Sequence, residues 1–185
     1  MENTIKNYGS AEALQTMLNA SVPKQTNTYK PISHQELMDL TLESIHQSGY
    51  KLATQEYSVA EDGLVANGKY TIANVADSEM QLQVAWQNSY NRKVSLKFAL
   101  GTRIMICSNG MVSGNYGSFK RQHRGDIQTV APANIVEYIK KGSSAFTQLQ
   151  KDRDTFKQYE STKQVQAELL GRMYIQEEVI TSTQL

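Results

Sequence analysis

The stretch "EMQLQVAWQNSYNRKVSLKFAL", Glu79–Leu100, decides the fold. In its first half Met80, Leu82, Val84 and Trp86 fall on one side of an extended chain, and Gln81, Gln83 and Gln87 on the other. Successive side chains of a strand point to opposite faces, so this pattern gives one apolar and one polar face. After "SYNRK" it resumes, with Val94, Leu96, Phe98 and Leu100 against Ser95, Lys97 and Ala99. Past Gly101, Ile104 and Ile106 alternate with Arg103, Met105 and Cys107. Consecutive strands of this kind predict an antiparallel sheet covered on one side.

Upstream, "YKLATQEYSV" and "LVANGKYTIANV" flank "AEDG", which predicts a hairpin with Gly63 in its turn. Before them, "SHQE" has capping-box form: Ser33 and Glu36 can each satisfy a free amide at a helix start. Leu37, Met38, Leu40 and Ile45 supply that helix's apolar side, and Gly49 stands where it should stop. Ser10 can cap an earlier helix, "SAEALQTMLNA", with Leu14, Met17 and Leu18 together; the polar "SVPKQTNTYKP" then reads as an extended linker. Downstream the period is helical again. Pro132 suits a helix start, Gly142 interrupts, and Phe146, Leu149, Arg153 and Phe156 recur at helical steps. "STKQ" offers a second capping box at Ser161 and Gln164 before "VQAELLGRMYIQEEVI".

Helices, then strands, then helices predict an α+β fold: a single domain over 1–185, with a mostly antiparallel sheet of about five strands and N- and C-terminal helices packed on one face. Its parts are a helix and linker (1–31), a helix (32–49), the strands (50–112), a Gly-rich basic loop (113–131) and the final helices (132–185).

The chain has 185 residues and one cysteine, which excludes an internal disulfide and makes a reducing cytoplasm the expected setting. No charged-then-apolar leader and no apolar run of bilayer length stand in the sequence, so no membrane partner is expected. The net charge of +1 conceals an asymmetry. Between Met80 and Gly125 there is no Asp or Glu, while Arg92, Lys93, Lys97, Arg103, Lys120, Arg121 and Arg124 all lie there. A basic middle between acidic ends points to a polyanionic partner, or to neutralisation by the terminal helices after folding.

The same region holds "ICSNGMVSGNYGSFKRQHRGD", Ile106–Asp126. A Cys–His pair made of Cys107 and His123 would need a thiolate beside a base, but a small residue before an Asn-Gly turn also has a packing role. His34, His46 and His123 lie in separate elements without ligand spacing, so no metal and no cofactor is expected. Gly110, Gly114 and Gly117 ahead of Lys120 fit neither phosphate-loop pattern, although such a loop can present amides to an anion.

"NSYNRKVSLKFALGTRIMICSNGMVSG", with the later "RQHRGD", resembles the uncharacterised phage/plasmid-like protein family, whose members share "NSYDGS", a strand pair, a "CSNG" turn and a later basic segment with histidine. The match runs from Asn88 to His123, with weaker similarity around "ELLGRMY". It departs at Asn91–Arg92, where the family pattern has Asp-Gly. The resemblance implies a phage or mobile-element origin and brings no activity with it. The order of elements is also similar to that of phage single-strand annealing proteins, which hold DNA in a basic groove between sheet and helix; this is an analogy of fold alone.

The expected function is therefore binding of nucleic acid, single-stranded DNA in replication or recombination, and not catalysis. Lys97, Arg103, Lys120, Arg121 and Arg124 would neutralise phosphates while Tyr116 and Phe119 stack on bases. Two alternatives stand beside it. One is an interaction or virion protein that forms homo-oligomers through its acidic and basic regions. The other is a binder of nucleotides or phosphorylated ligands that uses the Gly-rich loop.

Overall fold

The computed structural model describes residues 10–73, 79–104 and 111–176. The chain divides into two compact units, Met1–Thr147 and Gln148–Leu185. The α+β core lies within the first. It begins with helices α1 (Ser10–Asn19) and α2 (His34–Gln47), followed by β1 (Lys51–Ala60), a short helical turn (Glu61–Gly63), β2 (Val65–Ala73), β3 (Met80–Ser89), β4 (Leu96–Ile104) and β5 (Met111–Arg121). Helix α3 (Ile127–Gln158) starts in this unit, and α4 (Lys163–Ile175) belongs to the second. The five strands pair in sequence order, each antiparallel to the next.

Register turns the alternation into two faces. One row across the sheet is Tyr57, Gly68, Trp86, Phe98 and Phe119; the next, with side chains opposite, is Ser58, Asn67, Gln87, Lys97 and Lys120. Met80, Leu82, Val84 and Trp86 are all buried, as are Leu96, Phe98 and Leu100. Burying each such side chain stabilises by about 1.5–3 kcal/mol, which fixes the register because a one-residue slip would expose the whole set.

The cover comes from the helices. Ala13 and Met17 bury the inner side of α1, whereas Leu18 is exposed, so the expected Leu14–Met17–Leu18 face is rotated towards Ala13. Ser33 Oγ accepts the Glu36 amide at 2.9 Å, which is the serine half of the expected capping box, and Gly49, at φ +77°, lies just past the end of α2 as expected. Ile127, Ala131, Ile135 and Ile139 form a buried stripe on α3 at i, i+4 spacing.

Five local expectations are corrected. The Gly-rich segment is a strand, not a loop: Met111–Arg121 is β5, and β4 runs unbroken through Gly101 where two strands were expected. Glycines hid this strand, because they carry no alternation, and one is required by packing: a Cβ on Gly117 would sit 2.7 Å from the Tyr138 ring. Pro132 lies inside α3, since the buried stripe and the Thr129 and Val130 amides bonded to the Asp126 carbonyl start the helix earlier. Gly142 does not interrupt α3 but lets it approach β4, with Leu100 Cδ2 2.1 Å from where its Cβ would be. The cap of α4 is Thr162, whose Oγ1 accepts from the Val165 amide, one residue beyond Ser161. Cys107 and the Asn109–Gly110 turn lie outside the described residues.

Candidate functional site

Asn88 ends the apolar row of β3 and is fully buried. A buried amide is tolerated only when its hydrogen-bonding capacity is used. Its Nδ2 donates to the Ile32 carbonyl (2.8 Å) and to His34 Nδ1 (3.0 Å), and its Oδ1 accepts from His123 Nε2 (2.6 Å). The Ile32 carbonyl can only accept, which sets the orientation of the amide and makes His34 Nδ1 an acceptor. The His34 Nε2–H then donates to the Gly63 carbonyl at 3.0 Å. Asn88 thus joins three segments distant in sequence, and His34 brings in the Gly63 turn as a fourth.

Tyr90 extends the network. Its hydroxyl accepts the His34 amide (2.8 Å), its ring stacks on His34 with centroids 3.9 Å apart, and its carbonyl accepts from Tyr29 Oη (3.2 Å). Ser89 Oγ donates to the Val94 carbonyl at 2.6 Å and closes the loop between β3 and β4. Within that loop Asn91 Oδ1 accepts the Lys93 amide, a turn that an aspartate could make equally well. Arg92 sits at φ +64°, the left-handed region that favours the glycine of the resembled pattern, and its guanidinium lies 4.3 Å from the Tyr29 ring centroid. The segment that carries the resemblance is thus the junction of the fold.

Burial holds the His34 pKa down at about 4, against a weaker opposing effect of the Gly63 carbonyl, and the nearby His123 adds to the depression. Burial also lowers His123. Because the folded value lies below the ordinary 6.5, the unfolded chain takes up the proton first as pH falls. Stability is therefore present above about pH 6.5 and is lost towards pH 4. Between pH 7 and pH 5, before most carboxylates titrate, the loss from His34 is expected to be about 2 kcal/mol. Urea unfolding followed across that range checks it; a flat profile would show that His34 titrates as in the unfolded chain.

The opposite face of the sheet is exposed at Lys97, Ala99, Ser118 and Lys120, whereas Thr71 and Gln83 on the same face are buried. Lys97 and Lys120 are directly paired across β4 and β5, and both are exposed. Like charges opposite one another cost stability, and among the described residues neither lysine has an ion pair. Lys97 borders a shallow concavity of about 720 Å³ with a small-residue floor at Ala85 and Ala99, whose far side carries the Lys69–Glu56 ion pair (2.7 Å). Arg121 follows on the other side of β5, paired with Leu96, and Arg124 lies in the turn before α3. Both are exposed.

The expected cations therefore gather at one end of β4 and β5 with one exception. Arg103 stands six residues along β4 from Lys97, roughly 20 Å away. Its side chain and that of Tyr116 lie outside the described residues. Phe119 is not free for bases. It is stacked on Phe98 at 5.7 Å and lies 6.1 Å from Tyr138, because strand alternation turns it towards α3 when Lys120 faces outward.

Beside this corner is a second concavity, a cleft of about 330 Å³ whose lining includes Tyr29, Arg92, Lys93, Gln122, His123 and Arg124 and, among the described residues, no carboxylate. From the sequence His123 is a candidate partner for Cys107 or a metal ligand, and Tyr29 and Arg92 have no place here. The spacing of a strand-end "NSY" from a later histidine was the one visible signal. Among the described residues no group of three or more His, Cys, Asp or Glu gathers to hold a metal, and no helix is long and apolar enough to cross a membrane.

Fold and site together define an α+β protein with a helix-covered antiparallel sheet, a buried His–Asn–His junction and a basic corner. The chain belongs to the family described as Domain of unknown function (DUF932), whose model matches residues 24–184. No curated protein and no solved structure matches it.

Proposed function

We propose that the chain is a nucleic-acid-binding protein, encoded by a phage or plasmid and acting on single strands in replication or recombination. It binds rather than catalyses. The observation that carries this reading is the exposed Lys97–Lys120 pair, two like charges held side by side with no ion pair among the described residues; Arg121, on the other side of β5, and Arg124 are exposed at the same end of the strands. A phosphodiester lying across the pair would turn their repulsion into attraction. The adjoining concavity offers Gln87 and Asn67 as hydrogen-bonding groups for unpaired base edges, in place of the aromatic platform first expected.

The test is a fluorescence titration of labelled single- and double-stranded DNA and RNA with wild type and K97E/K120E. The double reversal, on an exposed face, is expected to leave the unfolding midpoint within about 0.5 kcal/mol and to weaken strand binding at least tenfold, about 1.4 kcal/mol. Equal affinities would reject the lysine pair as the contact. A second reading, self-assembly, is favoured by α4, where Leu169, Leu170, Tyr174 and Ile175 are exposed. It requires concentration-dependent light scattering from nuclease-treated protein.

A further inference from the structure

The cleft beside the junction has features that strand binding on the open face does not use. It is walled by the β3–β4 loop and the β5–α3 turn, and its lining is basic and polar. Arg92 is held in place by its left-handed backbone and by the Tyr29 ring beneath it. Lys93 Nζ is 3.2 Å from Glu61 Oε1, so its charge is partly neutralised, and Arg92 and Arg124 are the cations without such a partner among the described residues. His123 is 6% exposed; its Nε2 is committed to Asn88, and its Nδ1 has no partner among the described residues.

We infer that this cleft is a binding site for a phosphate group, taken as a free anion or as the monoester end of a nucleotide or strand, with Arg92 and Arg124 supplying charge and His123 Nδ1–H supplying a directed hydrogen bond. Protonated imidazole can donate from both nitrogens at once, to Asn88 and to the ligand. The burial that disfavours this charge in the empty protein is offset when a dianion arrives, so binding takes up a proton. The groups around His123 leave that proton to the ligand. His34 is neutral across Asn88, Tyr29 is an uncharged ring 5.9 Å away, Lys30 contributes its amide to the His123 carbonyl, and Arg92, Lys93 and Arg124 are the cations of the cleft lining. The cleft stands on its own residues, so failure of the lysine pair to bind strands would leave it untouched.

The experiment is calorimetric titration of the full chain with inorganic phosphate, sulfate, a nucleoside monophosphate, and oligonucleotides ending in 5′-phosphate or 5′-hydroxyl. Sulfate remains a dianion throughout and isolates the protein's own proton. Its affinity is expected to be several-fold higher at about pH 6 than at about pH 8. H123Q, which keeps a donor for Asn88, should abolish that difference, and R92Q and R124Q should each weaken binding about tenfold at either pH. Preference for the 5′-phosphate oligonucleotide over its hydroxyl form would identify a strand end as the source. Equal binding of small anions with no such preference would identify a free phosphorylated ligand. Either result supports the site. Absence of saturable binding by every probe, or binding indifferent to R92Q and R124Q, would overturn it, and R92Q decides the matter even if H123Q does not fold.

Discussion

Replacing Asn88 with leucine, a side chain of similar size, is expected to destabilise the protein by about 4 kcal/mol. The substitution removes no volume, so the loss measures hydrogen bonding. His34 Nδ1, His123 Nε2 and the Ile32 carbonyl would each lose a partner inside the fold. An orphaned buried polar group costs about 1–3 kcal/mol, and total stabilities are commonly about 5–15 kcal/mol. Asn88→Asp should rescue little, because it restores one acceptor but brings a buried charge and no donors. The urea midpoint reports the effect. A loss below about 1 kcal/mol would mean that the junction is not what ties α2, the hairpin turn and the β5–α3 turn to β3.

The second large effect has the opposite sign from general expectation. Alanine in place of a strand glycine ordinarily stabilises by about 0.5–1 kcal/mol. At Gly68 it is expected to destabilise by about 2–3 kcal/mol. A Cβ there would lie 2.6 Å from Trp86 Cε2, and the indole cannot retreat because it is buried and its Nε1–H donates to Tyr70 Oη at 3.1 Å. Trp86 is the chain's only tryptophan, so its emission reports the displacement directly. An unshifted spectrum with unchanged stability would show that the ring has room.

These two positions also show how far the sequence could be read. The apolar side of β3 was legible because its alternation is uninterrupted from Met80 to Trp86, and α2 because Ser33 and Gly49 mark its ends chemically. The fifth strand was not. Its glycines carry no hydrophobic pattern, Gly117 being a space for Tyr138, and without a strand there was no way to assign Phe119 to the covered face. Lys97 was placed correctly on the open face by alternation alone, while its neighbour Lys120 became visible only through register. The junction was hidden for a different reason. Asn88 lies 54 residues from His34 and 35 from His123, and no local pattern marks partners that only the closed fold brings together.

The most direct measurement is the affinity for a single-stranded oligonucleotide as salt is raised from about 50 to about 200 mM, with wild type and K97E/K120E side by side. Contacts from three or four cations of the basic corner should give a slope of log K against log salt of about −2 to −3, at about 0.7 per phosphate, and loss of the lysine pair should reduce its magnitude by more than one. A wild-type slope near zero, or one that the double reversal leaves unchanged, would mean that phosphates are not held at Lys97 and Lys120.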